Sequence, residues 1–216
     1  MGPKTEESVV ELILKGGWVM APILLGSVAA FALVLERAVY FWKIRLDATS
    51  FSQGIYALVE KGNIKDAESI CKKTNHPLAA VFAAGLEYPD GDPVELDRVM
   101  EREGSRQVGV AERNLNYLVV IVGVEPLLGF LGTILGLIQA FMAWEKFSEA
   151  VTVSQLAGGI YQAMITTAAG LLIAIPYFVV YHVFLSRVNR LAHEINHYGD
   201  HLVGILARSK RYASKH

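Results

Sequence analysis

Cysteine is nearly absent. Cys71 is the only one in 216 residues, which excludes an internal disulfide and a Cys-rich metal site; a small buried apolar residue of a reducing compartment is its expected role. Charge is scarce too, 19% of residues against 53% apolar, too oily a balance for a soluble domain of this length. The six histidines are scattered. His193 and His197, four apart, lie in a polar terminal helix without supporting carboxylate spacing and are expected to be solvated. The net charge is -1 and no basic stripe is interleaved with aromatics, so nucleic acid is not an expected partner. No nucleophile–base pair, metal-ligand cluster or phosphate-binding loop stands out, so neither enzyme chemistry nor a cofactor is expected. Strand alternation, internal repeats and low-complexity tracts are also lacking.

What the chain has instead is three long stretches almost free of charge: Gly16 to Leu35, Asn114 to Trp144 with Glu125 alone, and Ala150 to Ser186. A bilayer core about 30 Å thick needs roughly 20 apolar helical residues, so each can cross. Ala30-Phe31-Ala32 has the small-x-small form of a signal-peptide cleavage site, but the apolar run continues to Trp42, and a retained helix is expected. Lys and Arg number ten between the first and second spans and six after the third, against Lys4 and Lys15 before the first and Lys146 between the last two. Basic loops stay cytoplasmic, so a periplasmic amino terminus and a cytoplasmic carboxyl terminus follow.

The expected organisation is a periplasmic segment 1–17, a first span 18–42, a cytoplasmic helical domain 43–116, a second span 117–144, a short periplasmic loop 145–153, a third span 154–185, and a cytoplasmic tail 186–216. Within 43–116, Asp47 to Ser50 offers caps, Gly62-Asn63 breaks one helix and starts another, Pro77 opens a third, and Pro89-Asp90-Gly91-Asp92-Pro93 is a turn. From Pro93 the chain reads as unbroken helix to Pro126. The fold class is all-α membrane protein, with three membrane helices and long helical cytoplasmic extensions.

Small residues recur at helical spacing in the later spans: Gly132, Gly136 and Ala140 in one, Thr166, Gly170 and Ala174 in the other. They allow close backbone approach in lipid, either within one subunit or around an oligomeric pore. A neighbouring face of span two carries Gly129, Thr133, Gly136 and Ala140, and span three repeats this with Ala163, Thr167, Gly170 and Ala174. Counted from the outer ends, Thr133 is about 17 Å deep and Thr167 about 20 Å, so the hydroxyls share one level. A membrane threonine usually bonds a carbonyl of its own helix; two at one depth on small-residue faces also suit a channel lining.

The run Pro126-Leu-Leu-Gly129-Phe-Leu-Gly132-Thr133-Ile-Leu-Gly136 resembles the second-span motif of the ExbB/TolQ/MotA family. Gly159-Ile-Tyr-Gln162-Ala163-Met-Ile-Thr-Thr167-Ala-Ala-Gly170-Leu-Leu-Ile-Ala174-Ile-Pro176 resembles its third-span motif. The topology, the Glu36-Arg37 pair and, more weakly, Gly62 to Leu86 extend the likeness to nearly the whole chain. The resemblance implies a bacterial inner-membrane, proton-driven motor or energy-transducing channel subunit. It implies a homopentamer in lipid around a dimer of single-span ExbD/TolR-type chains, each bearing a membrane aspartate, with a periplasm-spanning effector as a further partner. Thr133 and Thr167 match the family's pore-lining threonines.

ExbB and TolQ commonly carry glutamate where this chain has Gln162, which hydrogen-bonds but does not titrate. Glu125 does not stand in for it, lying about 28 Å from the outer side, near the cytoplasmic boundary. It reads either as a solvated carboxylate at that interface or as lining the inner exit of a proton path. A non-conducting scaffold of the same fold is the rival to the motor reading.

Overall fold

The computed structural model describes residues 9–88, 92–147 and 153–213, so residues 1–8, 89–91, 148–152 and 214–216 lie outside it, and with them the first part of the Pro89–Pro93 turn and most of the loop expected at 145–153. All regular structure among the described residues is helical: α1 (Val9–Lys15), α2 (Met20–Lys43), α3 (Ala48–Glu60), α4 (Ile64–Lys73), α5 (Pro77–Leu86), α6 (Pro93–Glu112), α7 (Leu115–Phe147) and α8 (Val153–Ala213). Three helices are long and apolar enough to cross a membrane. Two compact units result, one from residues up to Leu35 with Asn114–His182, the other from Glu36–Arg113 with the residues from Val183 on. The 61-residue α8 runs through both.

In the first unit, Val19, Met20 and Ile23 of the α2 entry form a core with Ile13 of α1, Leu128 and Leu135 of α7, and Ile165, Ala169 and Ile173 of α8. Outside that core the helices present Leu25, Phe31, Phe130, Phe141, Leu172 and Ile175, all exposed. Large apolar side chains over whole helices, with backbone groups satisfied inside each helix, suit lipid or another membrane chain as surroundings. Pro126 and Pro176 sit inside α7 and α8 without ending them, as membrane helices tolerate.

The second unit is a small helical domain with its own core. Phe82 stacks on Phe51 at 6.0 Å and lies 5.9 Å from Tyr56, among buried Ile55, Val59, Leu78, Leu86, Leu202 and Leu206. Asp47 caps α3, accepting from the Thr49 and Ser50 amides, and the Ser50 hydroxyl, donating to it at 2.7 Å, together with those amides holds its carboxyl below the usual carboxylate range. Gly62 makes the next turn at φ +78°, a left-handed conformation that costs glycine nothing. Asn63 stands at the N-cap of α4 but makes no side-chain cap bond. His76 does cap, its Nδ1 accepting from the Leu78 amide at 3.1 Å, and burial lowers its pKa from 6.5 to about 4. Cys71 is buried and unpaired, its thiol pushed up to about 12 by desolvation.

The helix expected to run unbroken from Pro93 is interrupted. α6 ends at Glu112, Arg113 is extended, and Asn114 has φ 69°, a conformation asparagine tolerates better than most residues. Arg37, 3% exposed, secures that end by donating to the carbonyls of Val110 at 3.0 Å and Ala111 at 3.1 Å, while its Nε donates to Glu36 at 2.6 Å. A cation on the last carbonyls satisfies acceptors that a helix end leaves orphaned.

Candidate membrane site

Within the first unit, α7 and α8 meet antiparallel along a seam of backbone and small side chains. A Cβ on Gly136 would stand 2.6 Å from the Gly159 carbonyl, and one on Gly129 2.9 Å from that of Thr166. One on Gly170 would stand 2.6 Å from the Glu125 carbonyl, and one on Gly132 would collide with the Thr166 side chain. Ala140, Ala163 and Ala174 are buried on the same contact faces, whereas Pro176 is exposed on α8. Gly129 and Ala163, which share the faces of Thr133 and Thr167 and are expected to pack helices, lie between helices of one chain. Van der Waals contact at this range is what associates helices in lipid.

The threonines divide by role. Thr166 is fully buried in the seam and bonds the Gln162 and Ala163 carbonyls of its own helix, each at 3.0 Å. Thr167 and Thr133 are partly exposed. Thr133 donates to the Phe130 carbonyl one turn back, whereas Thr167 crosses to α7 and donates to the Gly129 carbonyl at 3.0 Å. Gln162 turns its amide towards Gly17, whose φ is +73° and where a Cβ would lie 2.5 Å from Nε2, so the residue at the family's glutamate position meets the start of α2.

Glu125 corrects one expectation. It is not solvated: 1% is exposed, and Oε2 has no hydrogen-bond partner among the described residues. Its Oε1 occupies the space a side chain at Gly26 of α2 would need, with Ile121 alongside, and its carbonyl faces Gly170. The carboxyl therefore lies inside the subunit, where α2, α7 and α8 converge. Sequence reasoning missed it because depth along a helix says nothing about direction around it; the paired signal was Gly26, in the part of α2 that carries no charge, Met20 to Leu35.

Three long apolar helices, a glycine seam and hydroxyls at the helix surface define an all-α, multi-pass membrane protein. The particular family is also shown: the chain belongs to the MotA/TolQ/ExbB proton channel family, whose model matches residues 73–197. It is 50% identical to the biopolymer transport protein exbB1 of Vibrio cholerae, covering 79% of this chain and 76% of that one. It is 31% identical to an ExbB-like biopolymer transport protein of Synechocystis, covering 80% and 83%, and 24% identical to the Tol-Pal system protein TolQ of Haemophilus influenzae, covering 94% and 95%. With its three apolar helices, this makes it a multi-pass inner-membrane protein of a transport and energy-transducing family.

Proposed function

We propose that this chain is the ring-forming subunit of a proton-driven motor or energy-transducing channel. Five copies, amino termini in the periplasm and carboxyl termini in the cytoplasm, surround a dimer of single-span ExbD/TolR-type chains. Each partner span supplies an aspartate that takes a proton from outside and releases it inward past Thr133 and Thr167, with a periplasm-spanning effector receiving the work. One observation carries the reading. Within the apolar lengths Leu115–Trp144 of α7 and Val153–Ser186 of α8, the outward faces hold threonines but no carboxylate: the second stretch has no acidic residue, and Glu125, the one in the first, is buried inside the subunit. Hydroxyls and amides order water without taking up charge near neutral pH, and a proton crossing about 30 Å of hydrocarbon needs a group that binds it on the way. That group has to come from a second chain.

The test is proton flux into vesicles holding this protein alone, then with its single-span partner, then with the partner's aspartate changed to asparagine. Only the second should conduct or do work. Robust flux in the first would make the ring itself the channel. No flux in the second favours the scaffold reading, whose support is Gln162, an amide where relatives of this kind carry a carboxylate.

A further inference from the structure

Among the described residues no ion pair reaches the carboxyl of Glu125. The stretch of α2 that it meets, Met20 to Leu35, contains no Asp, Glu, Lys or Arg, and neither does α8 from Val153 to Ser186. On its own helix no other charged residue occurs between Leu115 and Trp144. Of the cations beyond these stretches, Arg37 lies eleven positions from Gly26 on α2, about 17 Å along the helix, and Arg113 lies twelve before Glu125, past the break at Asn114. On α8 between Val153 and Ser186 the titratable groups are Tyr161, Tyr177, Tyr181 and His182; Tyr177 gives its hydroxyl to the Ser27 carbonyl at 3.3 Å, and His182 packs against Phe178 and Tyr181. Lys15 of α1 is eleven positions before Gly26.

An ionised carboxylate in such a place, with one oxygen making no hydrogen bond, would bear the desolvation cost of a full charge without compensation. The neutral acid bears far less. The chain also makes room for the group: glycine at position 26 leaves the volume that Oε1 fills, and Gly170 lets α8 close on the Glu125 carbonyl at the same level. A glycine interior to a helix is otherwise unfavourable.

We propose that Glu125 is a proton-binding site internal to each subunit, holding its proton between Gly26 and Gly170 when α2 is closed on α7 and α8. The ligand is a proton, and the site is separate from the threonine surface past which transported protons move. Losing that proton would put a bare charge in the three-helix junction and favour its opening. This rests on the proton-coupled reading above, but it is tested without partner or flux.

The measurement is the infrared spectrum of the purified protein in lipid at neutral pH, where exposed carboxyls are ionised. A carbonyl stretch of a protonated carboxyl is expected in the unaltered protein. It should be lost in Glu125→Gln, which keeps the shape of the neutral acid, and shifted in Glu125→Asp. Spectra that keep this band unchanged in both variants, or that lose an ionised-carboxylate band in its place, would overturn the proposal. If Glu125→Gln fails to assemble, the shift in Glu125→Asp alone decides. Partner-dependent flux with an unchanged band would sink the site and leave the motor reading standing; the band without flux would do the reverse.

Discussion

At the scale of single residues, neighbouring or equivalent side chains do different work. Thr167 bonds across to the Gly129 carbonyl, whereas Thr133 bonds within its own helix. Thr167→Val should therefore weaken the α7–α8 contact by about 0.6 kcal/mol, the average for an interhelical hydrogen bond in membrane proteins. Thr133→Val should leave stability unchanged. Both are expected to lower partner-dependent flux, and full activity in both would make the hydroxyls structural only; thermal unfolding in detergent separates the two contributions. His76 supplies a pH dependence. Its folded pKa, about 4, lies below the ordinary 6.5, so the neutral imidazole is favoured by folding. Its contribution is complete above about 6.5 and is lost as pH falls from there through about 4. The loss is about 2 kcal/mol once solvent screening is allowed for. Denaturation between pH 7 and 4 should show it, and His76→Asn, which keeps a capping oxygen, should flatten that part of the profile.

At the scale of elements, the helices have two kinds of glycine. Gly136 meets backbone atoms, the Gly159 carbonyl at 2.6 Å and the Ala163 amide at 2.9 Å from an added Cβ, and neither can turn away. Gly136→Ala should cost about 1–3 kcal/mol by overpacking. Gly123, on the same helix, has nothing within 4 Å, and Gly123→Ala should be neutral or stabilising by up to about 1 kcal/mol. Unfolding of both variants in the same lipid mixture checks the contrast. The stripes of small residues were legible as packing faces because a period of four needs only helix geometry. What they pack against was not, since one chain's seam and a ring of subunits make the same demand on sequence. The break at Asn114 escaped for a related reason: Arg113-Asn114 contains neither glycine nor proline, and what stabilises that end is Arg37, some seventy residues earlier in the chain. Glu125 was found by composition, but its surroundings depend on Gly26, which nothing local singles out.

At the scale of the whole molecule, the proposed orientation rests on the basic asymmetry between loops. A cysteine introduced at Glu101, on α6, should react with an impermeant thiol reagent only after the inner face is opened. Labelling of intact spheroplasts from the periplasmic side would reverse the topology. The buried residues of α8 in the second unit carry a separate implication. Phe184, Val188, Leu191, Ile195, Gly199, Leu202, Ile205 and Leu206 are all buried, and at 100° per residue they fall within an arc of about 120°. One stripe thus keeps phase along this part of α8, from Val183 to Ala213, about 46 Å long. Length in this region is consequently quantised. One alanine inserted after Leu191 would swing everything beyond it by about 100° and should abolish recovery of the assembled protein. Seven residues would restore the phase to within about 20° and should be far better tolerated. Insertions and deletions in the lineage are then expected to gather in the loops, or to enter α8 in steps of about seven or eleven, the step sizes that leave a helix facing the way it did before.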